Sequence, residues 1–117
     1  MSGYLTTHIL DTAKGRPAEG VRIDLFRLEG DHRIHLKIMH SNSDGRTDAP
    51  ILPEDKFQTG VYELIFNAGD YIIHSTGTDR SELFLDRVPI QFNMAKEAHY
   101  HVPLLLSPFG YSTYRGS

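Results

Sequence analysis

The sequence predicts an all-β sandwich with one short helix. Apolar and polar residues alternate with a period of two in a series of short runs, and clusters of Gly, Pro, Asn and Ser separate those runs. Only one segment carries helix punctuation. The first strand covers residues 5–10, with Leu5, Thr7 and Ile9 on one face and Thr6, His8 and Leu10 on the other. Residues 14–20, with Gly15, Pro17 and Gly20, read as a tight connection. Residues 21–25 and 34–38 alternate as half-buried strands do. Ser41-Asn42-Ser43-Asp44-Gly45 is a turn, and Pro50 and Pro53 mark the loop after it. Residues 61–66 form the next strand, with Tyr62, Leu64 and Phe66 sharing a face. The helix covers residues 70–76, acidic at its start and stopped by Gly77. Strand patterning resumes over 88–94, where Val88, Ile90, Phe92 and Met94 share a side. It ends in strands at 99–106 and 111–114, joined by Ser107-Pro108-Phe109-Gly110.

Composition bounds what such a sandwich can do. At 117 residues the chain makes one domain, 1–117, able to bury its core without disulfides or a structural metal. Twelve basic residues against 15 acidic ones leave no positive footprint for phosphate backbones or anionic lipid, so neither nucleic acid nor membrane is expected as a partner. The absence of cysteine removes disulfides, thiolate zinc sites and a thiol nucleophile together. The N-terminal stretch lacks the basic-then-apolar profile of a signal peptide, and no apolar run is long enough for a bilayer. The expectation is a soluble, cytoplasmic protein.

The C-terminal stretch holds the densest chemistry. His99-Tyr100-His101-Val102-Pro103-Leu104-Leu105-Leu106 is strand-like, and the chain continues to Tyr114-Arg115-Gly116-Ser117, an unusual composition for an expendable tail. On a strand His99, His101 and Pro103 point one way and Tyr100, Val102 and Leu104 the other. The apolar side is the core face, so the histidine side meets solvent, a cleft or a subunit interface. His8 lies on a face with Thr6 and Leu10. Taken singly, His32, His35, His40 and His74 read as surface or hydrogen-bonded histidines, and Arg46, just after the Asp44-Gly45 turn, reads as a solvated arginine.

Together these segments resemble the transthyretin-like 5-hydroxyisourate hydrolases of urate breakdown. The likeness rests on Leu5-Thr6-Thr7-His8-Ile9-Leu10-Asp11, Gly15-Arg16-Pro17-Ala18, the Asp44-Gly45-Arg46 turn and the tail from His99 to Ser117. That tail separates the hydrolases from the hormone carrier transthyretin. The chain departs from the family after the helix, where it reads Leu83-Phe84-Leu85-Asp86-Arg87 in place of an aromatic-rich stretch.

The resemblance implies two four-stranded sheets and a homotetramer with active sites in a channel between two dimers. It places His8, Arg46 and His101 at catalytic positions, with His8, Arg46, Tyr114 and Ser117 binding substrate, and it implies no cofactor. The implied reaction takes 5-hydroxyisourate to 2-oxo-4-hydroxy-4-carboxy-5-ureidoimidazoline, by water attack at the C6 carbonyl and opening of the ring. The residue types suit it. A histidine is mostly neutral yet basic near pH 7, and either His8 or His101 is a candidate base. Arg46 offers a fixed fork of donors to ring carbonyls or an oxyanion. Ser117 adds a hydroxyl and a carboxylate. Two alternatives come from other classes: a noncatalytic transthyretin-like small-ligand binding protein, and a zinc-dependent hydrolase using His8, His99 and His101 as ligands.

Overall fold

A computed structural model describes residues 3–116. Its strands are β1 (Tyr4–Asp11), β2 (Arg16–Pro17), β3 (Arg22–Glu29), β4 (His32–His40), β5 (Gly60–Asn67), β6 (Arg87–Met94), β7 (His99–Ser107) and β8 (Gly110–Thr113), with one helix, α1 (Ala68–Thr76), between β5 and β6. They form two four-stranded sheets, ordered β2-β1-β7-β8 and β4-β3-β5-β6. Among the described residues no helix is long and apolar enough to cross a membrane.

The core lies between the sheets, where the period-two pattern puts it. Leu5 and Ile9 of β1 and Tyr100, Val102, Leu104 and Leu106 of β7 face Ile23, Leu25, Tyr62, Leu64, Phe66, Val88 and Ile90 of the other sheet, all buried. The helix closes one flank. It buries Ala68, Gly69 and Ile72, stops at Gly77 in the left-handed conformation (φ 76°), and sends the Tyr71 hydroxyl to Asp11 Oδ2 at 2.6 Å.

Two elements differ from their sequence-based reading. The connection at 14–20 contains a strand: Arg16 and Pro17 pair antiparallel with Asp11 and Leu10, which supplies the eighth strand. The alternation at 34–38 is a strand, but it is not half-buried, since Ile34, Leu36 and Ile38 are 42%, 39% and 44% exposed. β4 is an edge strand, and its register with β3 shifts between Leu25 and Phe26, leaving Leu36 without a cross-strand partner. A bulge reverses the parity of a strand, so Ile34, opposite Arg27, and Ile38, opposite Asp24, point to opposite faces of the sheet.

For function the decisive pairing is β1 with β7, which is parallel and in register from Tyr4↔His99 through Thr6↔His101 to Asp11↔Leu106. The first and last long strands thus become neighbours. Their core faces carry Leu5, Ile9, Leu104 and Leu106, and their outer faces carry Tyr4, Thr6, His8, His99 and His101 on adjoining positions.

Candidate active site

The outer face of the β1–β7 pair is tightly organised. The Tyr4 and His99 rings stack face to face, 4.0 Å between centroids and 5° from parallel. Thr6 Oγ1 lies 2.6 Å from His99 Nε2 and 2.8 Å from His101 Nδ1, one hydroxyl shared by two imidazoles. The loop after β4 is strapped along β1, because Ile9 N donates to Gly45 O at 2.8 Å and Leu5 N to Leu52 O at 2.9 Å. A cleft of about 470 Å³ opens between that loop and the strands, walled by Tyr4, Thr6, Arg46, Asp48, His99 and His101 among others.

The turn that delivers Arg46 is built by two residues. Asn42 Oδ1 accepts from the backbone N–H groups of Asp44 and Arg46, at 2.9 and 3.2 Å, while Asn42 Nδ2 donates to Asp48 Oδ1 at 2.9 Å. Gly45 has φ +76°, and a Cβ there would fall 2.3 Å from the Ile9 carbonyl oxygen and 3.3 Å from the His8 ring. Only glycine lets the turn close on β1 at that distance.

His8 stands beside the cleft rather than in its wall. Its Nε2 is 2.8 Å from the Asp44 carbonyl oxygen. A carbonyl only accepts, so Nε2 carries the hydrogen and a neutral His8 keeps its lone pair on Nδ1. His101 has its pKa lowered, first by burial and then by the nearby charges of Arg46, His99 and His8. Both causes disfavour the imidazolium, which holds His101 neutral at pH 7. With Nδ1 engaged by Thr6, the nitrogen left for chemistry is Nε2.

The tail closes over the end of β7. Gly116 N donates to His101 O at 2.7 Å, and a Cβ on Gly116 would lie 2.6 Å from His101 Cδ2, so the backbone rests directly on the imidazole. Arg115 packs its guanidinium 4.2 Å over the Tyr100 ring. Ser117 lies outside the described residues. Tyr114 does not join the cleft within the protomer: its ring, 57% exposed, lines a separate groove with Ile90, Phe92, Tyr100 and Val102.

Of the residues singled out in the sequence, the fold therefore gathers His101 and Arg46 on one cleft with His8 at its margin, and sets Tyr114 apart. His35 belongs to the opposite sheet, its Nε2 2.9 Å from Asp24 Oδ2. Pattern reading missed Tyr4 and the Thr6 bridge. Thr6 shares the His8 face, but its contact with His99 and His101 depends on a parallel pairing that alternation does not encode.

Among the described residues no three His, Asp or Glu side chains converge as a metal-ligand set. One nitrogen of each ring is engaged, His99 Nε2 and His101 Nδ1 by Thr6 and His8 Nε2 by the Asp44 carbonyl, and the three imidazoles do not form such a set. A larger cleft, about 760 Å³, runs between the turn after β1 and α1, and two of its polar groups are paired, Lys14 Nζ with Ser75 O and the Tyr71 hydroxyl with Asp11. The smaller cleft has the better chemistry.

The comparisons with known proteins agree on one family. The family model described as HIUase/Transthyretin matches residues 5–116. A curated relative, 5-hydroxyisourate hydrolase 2 of Rhizobium meliloti, is 58% identical over 118 aligned positions, covering 99% of this chain and 98% of that protein. The solved structure of Klebsiella pneumoniae 5-hydroxyisourate hydrolase superposes with a TM-score of 0.83 at 38% identity, covering 100% of both chains. Sea bream transthyretin in complex with thyroxine superposes with a TM-score of 0.85 at 28% identity, covering 96% of this chain and 93% of that one.

Proposed function

The chain belongs to the HIUase/transthyretin family, and from that membership and its polar cleft we propose that it is a hydrolase converting 5-hydroxyisourate to 2-oxo-4-hydroxy-4-carboxy-5-ureidoimidazoline. The observation that carries the reading is one cleft holding a neutral imidazole, His101, and a permanent guanidinium, Arg46. Carrier function would favour an apolar wall. A wall of imidazole, guanidinium, hydroxyl and carboxylate suits a planar, carbonyl-rich ring.

Each group has a part in the chemistry. A water molecule above the C6 carbonyl loses a proton to His101 Nε2 as its oxygen bonds to C6. His8, with its lone pair on Nδ1, accepts a hydrogen bond from the water and turns it toward the carbon. Arg46 stabilises the oxyanion that forms on the C6 oxygen, with donors already in place. Collapse of that adduct breaks the C6–N1 bond, the proton held by His101 passes to N1, and C6 becomes a carboxyl group that stays on the five-membered ring and gives its proton to solvent. Ser117 is assigned to substrate binding because Gly116, its neighbour in the chain, rests on His101. Tyr114 enters only through assembly: in a homotetramer its exposed ring is available to a neighbouring copy. No metal or cofactor is required.

The test is direct. 5-Hydroxyisourate generated from urate by a urate oxidase is followed by its near-ultraviolet decay, with and without the protein. Catalysed decay is expected, and His8→Asn and His101→Asn should each lower kcat by roughly a hundredfold or more with folding intact. Decay at the spontaneous rate with pure wild-type protein overturns the function. A folded variant of near-normal rate removes its histidine from the mechanism.

A further inference from the structure

We propose that Thr6 is a positioning residue that sets the tautomer of His101, and with it which ring nitrogen can take a proton. The inference rests on the reading of His101 as the base. Its physical core is a count of hydrogens. The Thr6 hydroxyl has one hydrogen to donate, yet it stands within hydrogen-bond distance of two imidazole nitrogens, His99 Nε2 at 2.6 Å and His101 Nδ1 at 2.8 Å. A neutral imidazole carries one N–H. A hydroxyl also accepts through two lone pairs, so Thr6 can donate to at most one of the two rings, and a ring it does not donate to must donate to it.

Only a donating Nδ1–H leaves His101 a base at Nε2, and it leaves the Thr6 hydrogen available to His99. His101 Nδ1–H donates to Thr6 Oγ1, Thr6 donates to His99 Nε2, and His99 keeps its own hydrogen on Nδ1. In the reverse polarity Thr6 donates to His101 Nδ1, which places the His101 hydrogen on Nε2 and removes the lone pair from the cleft. Two features favour the first. Arg46 on the cleft wall is a donor-only group, so a lone pair on Nε2 complements it where an N–H would not. Proton uptake at Nε2 then leaves every bond in the chain pointing as before, since the imidazolium still donates through Nδ1. The bridge is also held from both ends: Tyr4 stacks on His99, and the Gly116 backbone rests on the Cδ2 side of His101, against a ring flip that would carry Nδ1 away from Thr6.

The charged and titratable groups facing this bridge are Arg46 and Asp48 from the loop, Tyr4 and His8 from β1 and His99 from β7. None of them takes the place of the hydroxyl at Nδ1 in the structure. Removing it frees the ring to return to the Nε2–H form that imidazole favours in water.

The experiment compares wild type, Thr6→Val and Thr6→Ser. Long-range proton–nitrogen spectra of the histidine rings, recorded above the titration of His101, report its tautomer without reference to activity. His101 is expected as Nδ1–H in wild type and Thr6→Ser, and displaced toward Nε2–H in Thr6→Val. In 5-hydroxyisourate hydrolysis Thr6→Val should lower kcat by roughly ten- to a hundredfold with KM within about twofold, and Thr6→Ser should recover most of the loss. An Nε2–H resonance for His101 in wild type overturns the proposal, as does a folded Thr6→Val protein with unchanged kcat. Should Thr6→Val fail to fold, the wild-type and Thr6→Ser spectra still decide. The two levels fail differently: an inactive wild type with His101 on Nδ1–H defeats the hydrolase reading and leaves the tautomer assignment standing, whereas an active wild type on Nε2–H does the opposite.

Discussion

His101 shows how one side chain is brought to its working state by burial and neighbouring charge acting in the same direction. Desolvation leads, and the charge of Arg46, with those of His99 and His8 whenever they are protonated, adds to it, so the proton is held less tightly than at the ordinary value of 6.5. The acid limb of kcat/KM should fall below 6.5, and a proton NMR titration of the His101 ring should find the same midpoint. Arg46→Gln, which removes one of those charges while keeping a polar side chain, should move that midpoint upward. A wild-type midpoint at or above 6.5 would contradict the account. The linkage sign follows. Below 6.5 the unfolded chain takes up a proton at this site before the folded chain does, so His101 contributes stability above 6.5 and loses it as the pH falls through its folded value. The histidines and Arg46 were legible in the sequence through a family likeness. Neither Thr6 nor the Gly116 contact was, because both belong to distances between residues some 93 to 95 positions apart in the chain for Thr6, and to a missing Cβ for Gly116.

At the scale of elements, alternation revealed most of the strands and which side chains share a face, because a period of two is a local property. Strand neighbours are not local. The parallel β1–β7 pairing joins residues remote in sequence, while the two-residue β2 and the bulge that splits Ile34 from Ile38 lie between near neighbours and depend on cross-strand register, which alternation along one strand does not carry. The helix illustrates the same divide. Gly77 announces its end, but its seating depends on Tyr71 reaching Asp11, a carboxylate only 5% exposed that otherwise accepts from Lys14 N at 3.0 Å. Burial and that bond push the Tyr71 hydroxyl up to about 12. Tyr71→Phe should lower stability by about 1–2 kcal/mol in urea unfolding, with the hydrolysis rate of the folded protein retained. The sign in alkali is also set. Between pH 10 and about 12 the unfolded tyrosine ionises while the folded one does not, so wild type loses stability across that window and Tyr71→Phe lacks this loss. Equal stability of the two proteins at neutral pH would show that the hydroxyl does not seat the helix.

At the scale of the whole molecule, the single chain leaves features that a monomer does not explain. β8 and β6 are both end strands of their sheets, and they flank the groove that contains Tyr114 and Phe92. Free strand edges invite pairing unless they are blunted or covered. Phe109 and Tyr111, on the turn before β8 and on β8 itself, are 76% and 44% exposed, and the cleft that holds His101 opens on the outer face of the same sheet. Two chains joined edge to edge would extend each sheet, and two such dimers facing each other across the β2-β1-β7-β8 sheets would enclose the histidine face from solvent. Enclosure matters chemically, since a guanidinium stabilises an oxyanion far better where bulk water is excluded, and Arg46 is the one proposed for that part. Light scattering should therefore report a tetramer of the 13.3 kDa chain, and the activity per chain should fall when dilution dissociates it. Phe109→Asp, placing a charge on the exposed turn, should shift the assembly toward smaller species and lower kcat while leaving the protomer folded. A stable monomer with the full rate per chain would show that the cleft works alone, and the open outer face would then be the finished active site rather than half of an enclosed one.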